Sequence, residues 1–528
     1  MAYYKDMREH IQALEAKNKL VRMKREINKD TELMPLVRWQ YRGLPEEERK
    51  AFFFENVTDV KGRKYPGGVL IAAHAGSKDI YAASMMCEPE EIQQKWVQAQ
   101  DNPIKPKVVS SGICQEEVHI GQGLLEHGGL AEFPVPLSTP GFDNAPYFSA
   151  PFWVTKDPET GIRNVGAYRA MVKAPDRLGL RLEDAQHLRH HWDKCREKGI
   201  PLQAALTVGT IPIVGLAAVT KFAYNADEFA ICGGIAGEPL ELVKCKTVDI
   251  EVPATAEIII EGEFPTDSLE REGCFGEYSG YLLGCEPMPY LNVTCITHRK
   301  NPIYTGFISQ FPPSESTKLK VTAGNATLYR ILKENHGIDV IDVAYHEESG
   351  AMLFLAVSIR NAHPAQSWQV LKIADAYSVG LGKIIIVVDE DIDPRDLDSV
   401  MWAMCFRMQP HRDVLIVPGK VAGLDPSAAP KGEKVPPGYV SMPTSAMLIN
   451  ATRKWPYPPI SLPAQEFMEK AKKIWEEEGL PPLKPKAPWY GRSLGDWPKN
   501  FQDEADLALK GEHYQTGEKL ARDERTSI

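Results

Sequence analysis

Cysteine is present but unpatterned. Nine are scattered through 528 residues with no CxxC pair, which excludes a zinc ribbon and gives no disulfide framework, so a reducing, cytoplasmic setting is expected. The N-terminal segment MAYYKDMREH carries charge where a secretion signal needs an apolar run. The uncharged stretch from Leu202 to Thr220 is broken by Gly209, Pro212 and Gly215 and diluted by Thr207 and Thr210, so it reads as a buried strand, a turn and a second buried element rather than a membrane span. There is no excess of basic charge. A net charge of −10 argues against a nucleic-acid surface and against binding to anionic membranes, and favours an enzyme acting on a small molecule. No internal repeat is visible.

What is present is an ordinary globular composition, 43% hydrophobic and 25% charged, on a chain too long for one core. The first region, 1–124, reads as a mixed α/β unit. Met7, Ile11 and Leu14 share a helical face, a second helix is expected near 31–43, AFFFENV and GGVLIAAH read as strands, and Pro89 opens a further helix. From 125 to 330 short β-runs alternate with Gly and Pro turns, the pattern of a barrel or sandwich, with a helical segment inserted at 184–199. From 331 to 460 α/β alternation returns, clearest in the strand KIIIVVDEDI followed by a helix opened by Pro394. Residues 461–528 are expected to hold one helix at 464–478, with Phe467, Ala471 and Ile474 on a face, and a Pro-rich tail that wraps a neighbour.

Four segments could carry chemistry. REGCFGEYSGY, residues 271–281, sets Glu272 and Glu277 among glycines and apolar or aromatic residues, surroundings that favour a carboxyl able to hold and deliver a proton; isolated glutamates are more often surface groups. Paired carboxylates also occur in glycoside hydrolysis, and the spacing alone does not choose. RNVGAYRAMV, residues 163–172, reads as one strand with Ala167 and Arg169 on one side and Asn164 and Tyr168 on the other; a guanidinium fork suits a planar carboxylate, although a strand Arg more often faces solvent. DAQHLRHHWDK places His187 and His191 four apart on a helix, a weak metal signal without the glutamate of HExxH. DEFAICGGIAGEPLELVKC puts Glu228 ahead of a Gly-rich apolar run that close packing alone would explain.

Taken in order, these segments resemble the UbiD-type decarboxylases over roughly residues 5–460, together with VPATAEIIIEGEF, YTG at 304–306, VVDEDIDPRDLDSVMWAM and NATRKWP. The resemblance implies an α+β multidomain fold, with an N-terminal α/β unit, a central flavin-reductase-like split β-barrel that binds the cofactor, and a C-terminal α/β domain with an extended tail acting as an oligomer contact. It implies a catalytic network of Arg169, Glu272 and Glu277. It also implies prenylated FMN bound by Asn164, Gly166, Ala167, Tyr168, Arg169, Gln186, His187, Lys221 and Glu228, with Asn164, His187 and Glu228 holding Mn²⁺ or Mg²⁺ and K⁺ as a further ion. The cofactor acts as electron sink, Arg169 orients the substrate carboxylate, Glu272 places Arg169, and Glu277 donates the proton that replaces CO₂.

The implied partners are a small aromatic carboxylate or CoA ester, a UbiX-type flavin prenyltransferase as cofactor supplier, and further copies of the chain in a dimer or hexamer. Length and tail are similar to the phthaloyl-CoA decarboxylase branch, with hydroxybenzoates, polyprenyl hydroxybenzoates and heteroaryl acids as alternatives; segments near 305–312 and 440–455 are expected to line the pocket. Readings from other classes are a metal-dependent or acid/base hydrolase and a flavin binder without turnover. The chain departs from the family pattern at two residues, and its tail after 480 extends beyond typical members. Gly166 stands where some fungal members have Ser, and Tyr377 where they have a phosphate-side Lys, for which Lys221 or the metal is expected to compensate.

Overall fold

A computed structural model describes residues 2–523 except 184–185, 285, 351, 361–362, 378–379, 381, 422–423, 431–432, 437–441 and 485–494. Much of the Pro-rich segment before Trp497, and the start of the 440–455 segment, therefore lie outside the described residues.

The first helix, Met7–Ala16, is capped by the Asp6 side chain accepting from the Glu9 N–H, and it buries Met7, Ile11 and Leu14 as the periodicity predicts. Two short helices, Leu33–Arg38 and Gln40–Gly43, replace the single one expected near 31–43. The strands Leu20–Asn28, Ala51–Thr58 and Val69–Ile71 form a sheet that a fourth strand, Tyr304–Gly306, completes.

Among the described residues the central sheet has nine strands, and its order carries the architecture. Arg163–Ala167 lies at one end beside Phe152–Lys156, whereas Ala170–Ala174 lies near the other end, between Tyr147–Phe148 and Arg177–Leu180. Only Tyr168 and Arg169 separate them in sequence. Two residues span roughly 10 Å at most. The sheet must therefore curl until its ends meet, an open barrel with its seam at Arg169. The single strand expected over 163–172 is thus two strands, broken where the chain steps across that seam.

The expected boundary at 124/125 is crossed in both directions. Glu117–Ile120 pairs with Tyr290–His298 of the barrel sheet, and Tyr304–Gly306 leaves the barrel region for the N-terminal sheet. Long-range hydrogen bonding, invisible to local pattern, interleaves the two units.

Leu202–Val208 is a strand and Pro212–Val219 a buried helix with Pro at its start, joined by the turn at Gly209; this is the strand, turn and buried element read from the sequence. Among the described residues no helix is long and apolar enough to cross a membrane.

The C-terminal sheet is mixed, with strands in the order Val340–Tyr345, Phe354–Ile359, Ile384–Asp389, Pro443–Ala451 and Val414–Val421. The helix after Ile384–Asp389 begins at Leu397 rather than at Pro394, because Asp393 first closes a turn by accepting from the Arg395 N–H. Tyr377 packs against the core of this sheet. Three helices, Gln465–Glu477, Lys499–Leu509 and His513–Asp523, bury no residue, and Phe467 and Ile474 stay exposed.

Candidate active site

The seam and one hairpin build the site. Cys274–Gly276 pairs antiparallel with Leu282–Gly284, and the turn is tightened where the Gly280 N–H donates to the Glu277 carbonyl. Gly273 is required by close approach, since a Cβ there would sit 2.0 Å from Asn144 Oδ1. Phe275 is buried and packs on Tyr147 with ring centroids 4.5 Å apart. Cys274 is disulfide-bonded, which the scattered cysteines did not predict.

This hairpin carries both glutamates to Arg169. Arg169 Nε and Nη2 donate to the two oxygens of Glu272 at 2.9 and 2.7 Å, the bidentate fork, and Nη1 donates to Glu277 Oε1. The pairs are 103 and 108 residues apart in sequence. All three side chains are buried, at 7%, 1% and 11% exposure for Arg169, Glu272 and Glu277. Burial works against the guanidinium charge, but the Glu277 and Glu272 carboxylates outweigh it and hold the Arg169 pKa above its ordinary value. The guanidinium also lies over the Phe275 ring, 5.2 Å from its centroid. The sequence reading placed these glutamates among apolar neighbours; the dominant neighbour is a cation.

A second group gathers around the Arg163–Ala167 strand. The Val165 N–H donates to Glu228 Oε2 at 3.1 Å, and Glu228 opens the helix Glu228–Ala236 behind its cap Asp227. Burial pushes the Glu228 carboxyl up to about 8. Asn164 is buried too, and its side-chain nitrogen has no hydrogen-bond partner. His187 is the first residue of the helix His187–Glu197, next to Gln186, whose side chain accepts from the Glu183 N–H. Burial and the nearby Glu228 carboxylate raise the Tyr168 pKa. Its ring lies over Gly166, where a Cβ would come within 2.4 Å of it, which accounts for Gly at that position. His191 is a core residue, its ring bonded to Thr155 Oγ1 at 2.9 Å, and burial lowers its pKa to about 4.

The segment near 305–312 packs on the glutamate hairpin, with Gln310 against Gly276 and Phe311 against Gly280. Lys221 is exposed, and crowding by neighbouring atoms still lowers its pKa. Lys320, on the helix Glu315–Arg330, escaped the sequence reading. Burial lowers its pKa to about 7, with Glu277 opposing and Lys221 reinforcing the effect, and its Nζ lies 3.2 Å from the Tyr278 ring centroid. Tyr147 was missed as well, for neither residue sits in a motif and only packing brings them to the site. Cavities of about 240 and 440 Å³ lie elsewhere, beside Trp402 and Arg407 and beside Val108 and Lys244. Convergent buried charge marks the site.

An open barrel with a buried arginine–diglutamate cluster at its seam defines a class of enzyme able to hold a carboxylate and manage a proton. The comparisons with known proteins identify the family. Residues 107–311 match the model described as 3-octaprenyl-4-hydroxybenzoate carboxy-lyase Rift-related domain, and 321–451 match the corresponding C-terminal domain. The chain belongs to the UbiD family of carboxy-lyases. It is 30% identical over 448 residues to a phenolic acid decarboxylase of Sedimentibacter hydroxybenzoicus, covering 81% of this chain and 89% of that one. It is 34% identical over 279 residues to the phenolic acid decarboxylase of Bacillus subtilis, covering 52% and 59% of the two chains. Among solved structures it is similar to an evolved dimeric form of the UbiD-class enzyme HmfF from Pelotomaculum thermopropionicum in complex with prFMN, with a TM-score of 0.73, 31% identity, and 87% and 97% of the chains covered. It is also similar to the closed form of Sedimentibacter hydroxybenzoicus vanillic acid decarboxylase, with a TM-score of 0.75, 27% identity, and 90% and 100% covered.

Proposed function

We propose that this protein is a reversible, non-oxidative decarboxylase of a free aromatic acid of the phenolic class that works with prenylated FMN. The observation that carries the reading is the clamp at the seam, in which Arg169 grips Glu272 with two donors and offers its third nitrogen to Glu277. The relatives named for their substrates act on phenolic and vanillic acids, which favours a free acid over the phthaloyl-CoA ester.

The residues fit the cofactor's anionic end. Glu228 is buried and accepts from the Val165 N–H, and the neighbouring Asn164 is buried with its side-chain nitrogen unpartnered. A divalent cation held by Asn164, His187 and Glu228 would compensate that carboxylate, and the oxygen-rich set suits Mn²⁺ or Mg²⁺. Gly166, Ala167, Tyr168 and Gln186 border that site, and Lys221 and Lys320 would supply positive charge for the phosphate. Bound there, prenylated FMN supplies the electron sink that lets CO₂ depart from an aromatic carbon.

The chain's own work is orientation and proton transfer. A substrate carboxylate would take Arg169 Nη1 from Glu277 while Glu272 keeps the guanidinium in place. Released from that contact, Glu277 can carry a proton and deliver it from a carboxyl oxygen to the ring carbon that lost CO₂, and in carboxylation it removes that proton. We assign the solvent-facing helices after 461 to contacts between copies of the chain.

The test is production of the full chain together with a UbiX-type flavin prenyltransferase, followed by absorption spectroscopy and CO₂ release from hydroxybenzoic acids and aryl-CoA esters. A modified-flavin band with turnover of free acids is expected. Flavin-free protein, or turnover of CoA esters alone, overturns the reading.

A further inference from the structure

A second cluster lies away from the seam, on elements that carry none of the residues assigned to decarboxylation. His119 sits on the strand Glu117–Ile120 and His298 ends the strand Tyr290–His298. In the register of this pair His119 faces Ile296 and Glu117 faces His298, so the two histidines are diagonal neighbours on one face. Glu132 ends the turn Gly129–Glu132 and reaches between them.

The three side chains converge without bonding. His119 Nδ1 lies 3.2 Å from Glu132 Oε2, and His298 Nε2 lies 3.4 Å from Glu132 Oε1. Yet His119 Nδ1, Glu132 Oε2 and His298 Nε2 all lack a hydrogen-bond partner of acceptable geometry. Both imidazoles are more than nine-tenths buried, with exposures of 7% and 5%. Such groups are costly to bury unsatisfied, and their shared direction points at a common centre.

The dimensions fit a cation. Zinc bonds nitrogen and carboxylate oxygen at about 2.0–2.2 Å, and the edge of a tetrahedron with such bonds is roughly 3.3–3.6 Å. The separations of 3.2 and 3.4 Å, one to each Glu132 oxygen, are of that size, and one ligand atom from each residue lies within 4.8 Å of the others. The tautomer is also set. A carbonyl only accepts, so the 2.7 Å contact between His298 Nδ1 and the Arg299 carbonyl puts a proton on Nδ1 and leaves Nε2, on the Glu132 side, as the nitrogen a metal would take. The His127 ring stacks on His119 with centroids 3.9 Å apart and covers that side.

We propose that His119, Glu132 and His298 form a binding site for a late first-row divalent metal, Zn²⁺ being the best match, that fastens the 121–132 segment to the barrel sheet. Two imidazoles and one carboxylate suit zinc over magnesium or calcium, and the fourth position is left to water. This site is separate from the Asn164–His187–Glu228 set.

The test uses the full chain, stripped with a chelator and dialysed against zinc sulfate, with metal content measured. Carrying Glu228→Gln throughout removes the other proposed cation site from the count. About one equivalent of zinc is expected in the Glu228→Gln chain, and none after adding His119→Ala or His298→Ala, with a zinc-dependent rise in unfolding temperature lost in parallel. Glu132→Gln, nearly isosteric, serves if either histidine variant fails to fold and should weaken zinc binding at least tenfold. Equal zinc uptake with and without these substitutions overturns the proposal. Absence of uptake by the parent chain does so too, leaving the cluster a proton-sharing His–Glu–His array.

Discussion

Replacing Arg169 by lysine keeps the charge and removes the fork. In the native site three guanidinium nitrogens are engaged, two on Glu272 and one on Glu277. A single ammonium on a shorter, flexible stem can hold one carboxylate well, so at least one buried glutamate loses its partner and the substrate carboxylate loses its planar seat. A hydrogen bond involving a charged group contributes about 1.5–3 kcal/mol. If only one lost contact bears on the reaction, turnover falls roughly 10- to 150-fold, since about 1.4 kcal/mol is a factor of ten. The assay is CO₂ release at saturating phenolic acid, normalised to flavin bound per chain. Arg169→Lys should bind flavin and turn over at least tenfold more slowly. A variant with full flavin and turnover within about threefold of wild type would refute the reasoning and place carboxylate orientation on another residue.

Glu277→Gln should fold and bind flavin, lose roughly 10²-fold in turnover, and no longer exchange the product's ring hydrogen with D₂O, which mass spectrometry reads directly; rapid label uptake by this variant would show that another group donates the proton. Glu228→Ala should purify folded but depleted of flavin and manganese, and full occupancy in that variant sinks its assignment. Lys320 gives a pH dependence. Burial sets its pKa near 7 in the flavin-free protein, so it is neutral above that pH, whereas a bound phosphate favours the charged form. Binding above about pH 7 must therefore take up a proton, and FMN affinity should fall as pH rises from 7 toward 9, by at most tenfold per unit. Lys320→Met should bind FMN more weakly below pH 7 and lose that slope; an unchanged slope in titrations followed by flavin fluorescence shows that Lys320 does not meet the phosphate.

Much of this protein was legible in the sequence because the signals are local. The face of Met7, Ile11 and Leu14, the Gly and Pro breaks in 202–220 and the glycine-spaced glutamates of REGCFGEYSGY depend on backbone period, turn chemistry and steric access, all of which act within a few residues. The family motifs named Arg169, Glu272 and Glu277, but neither spacing nor composition could show that they touch. That was decided by the curl of the nine-stranded sheet, which breaks 163–172 into two strands and lets the Glu272–Glu277 hairpin close on Arg169 across more than 100 residues. Lys320 and the His119–Glu132–His298 cluster were invisible for the same reason. Their partners come from separate elements, and only long-range pairing and burial turn ordinary polar residues into convergent, poorly solvated groups.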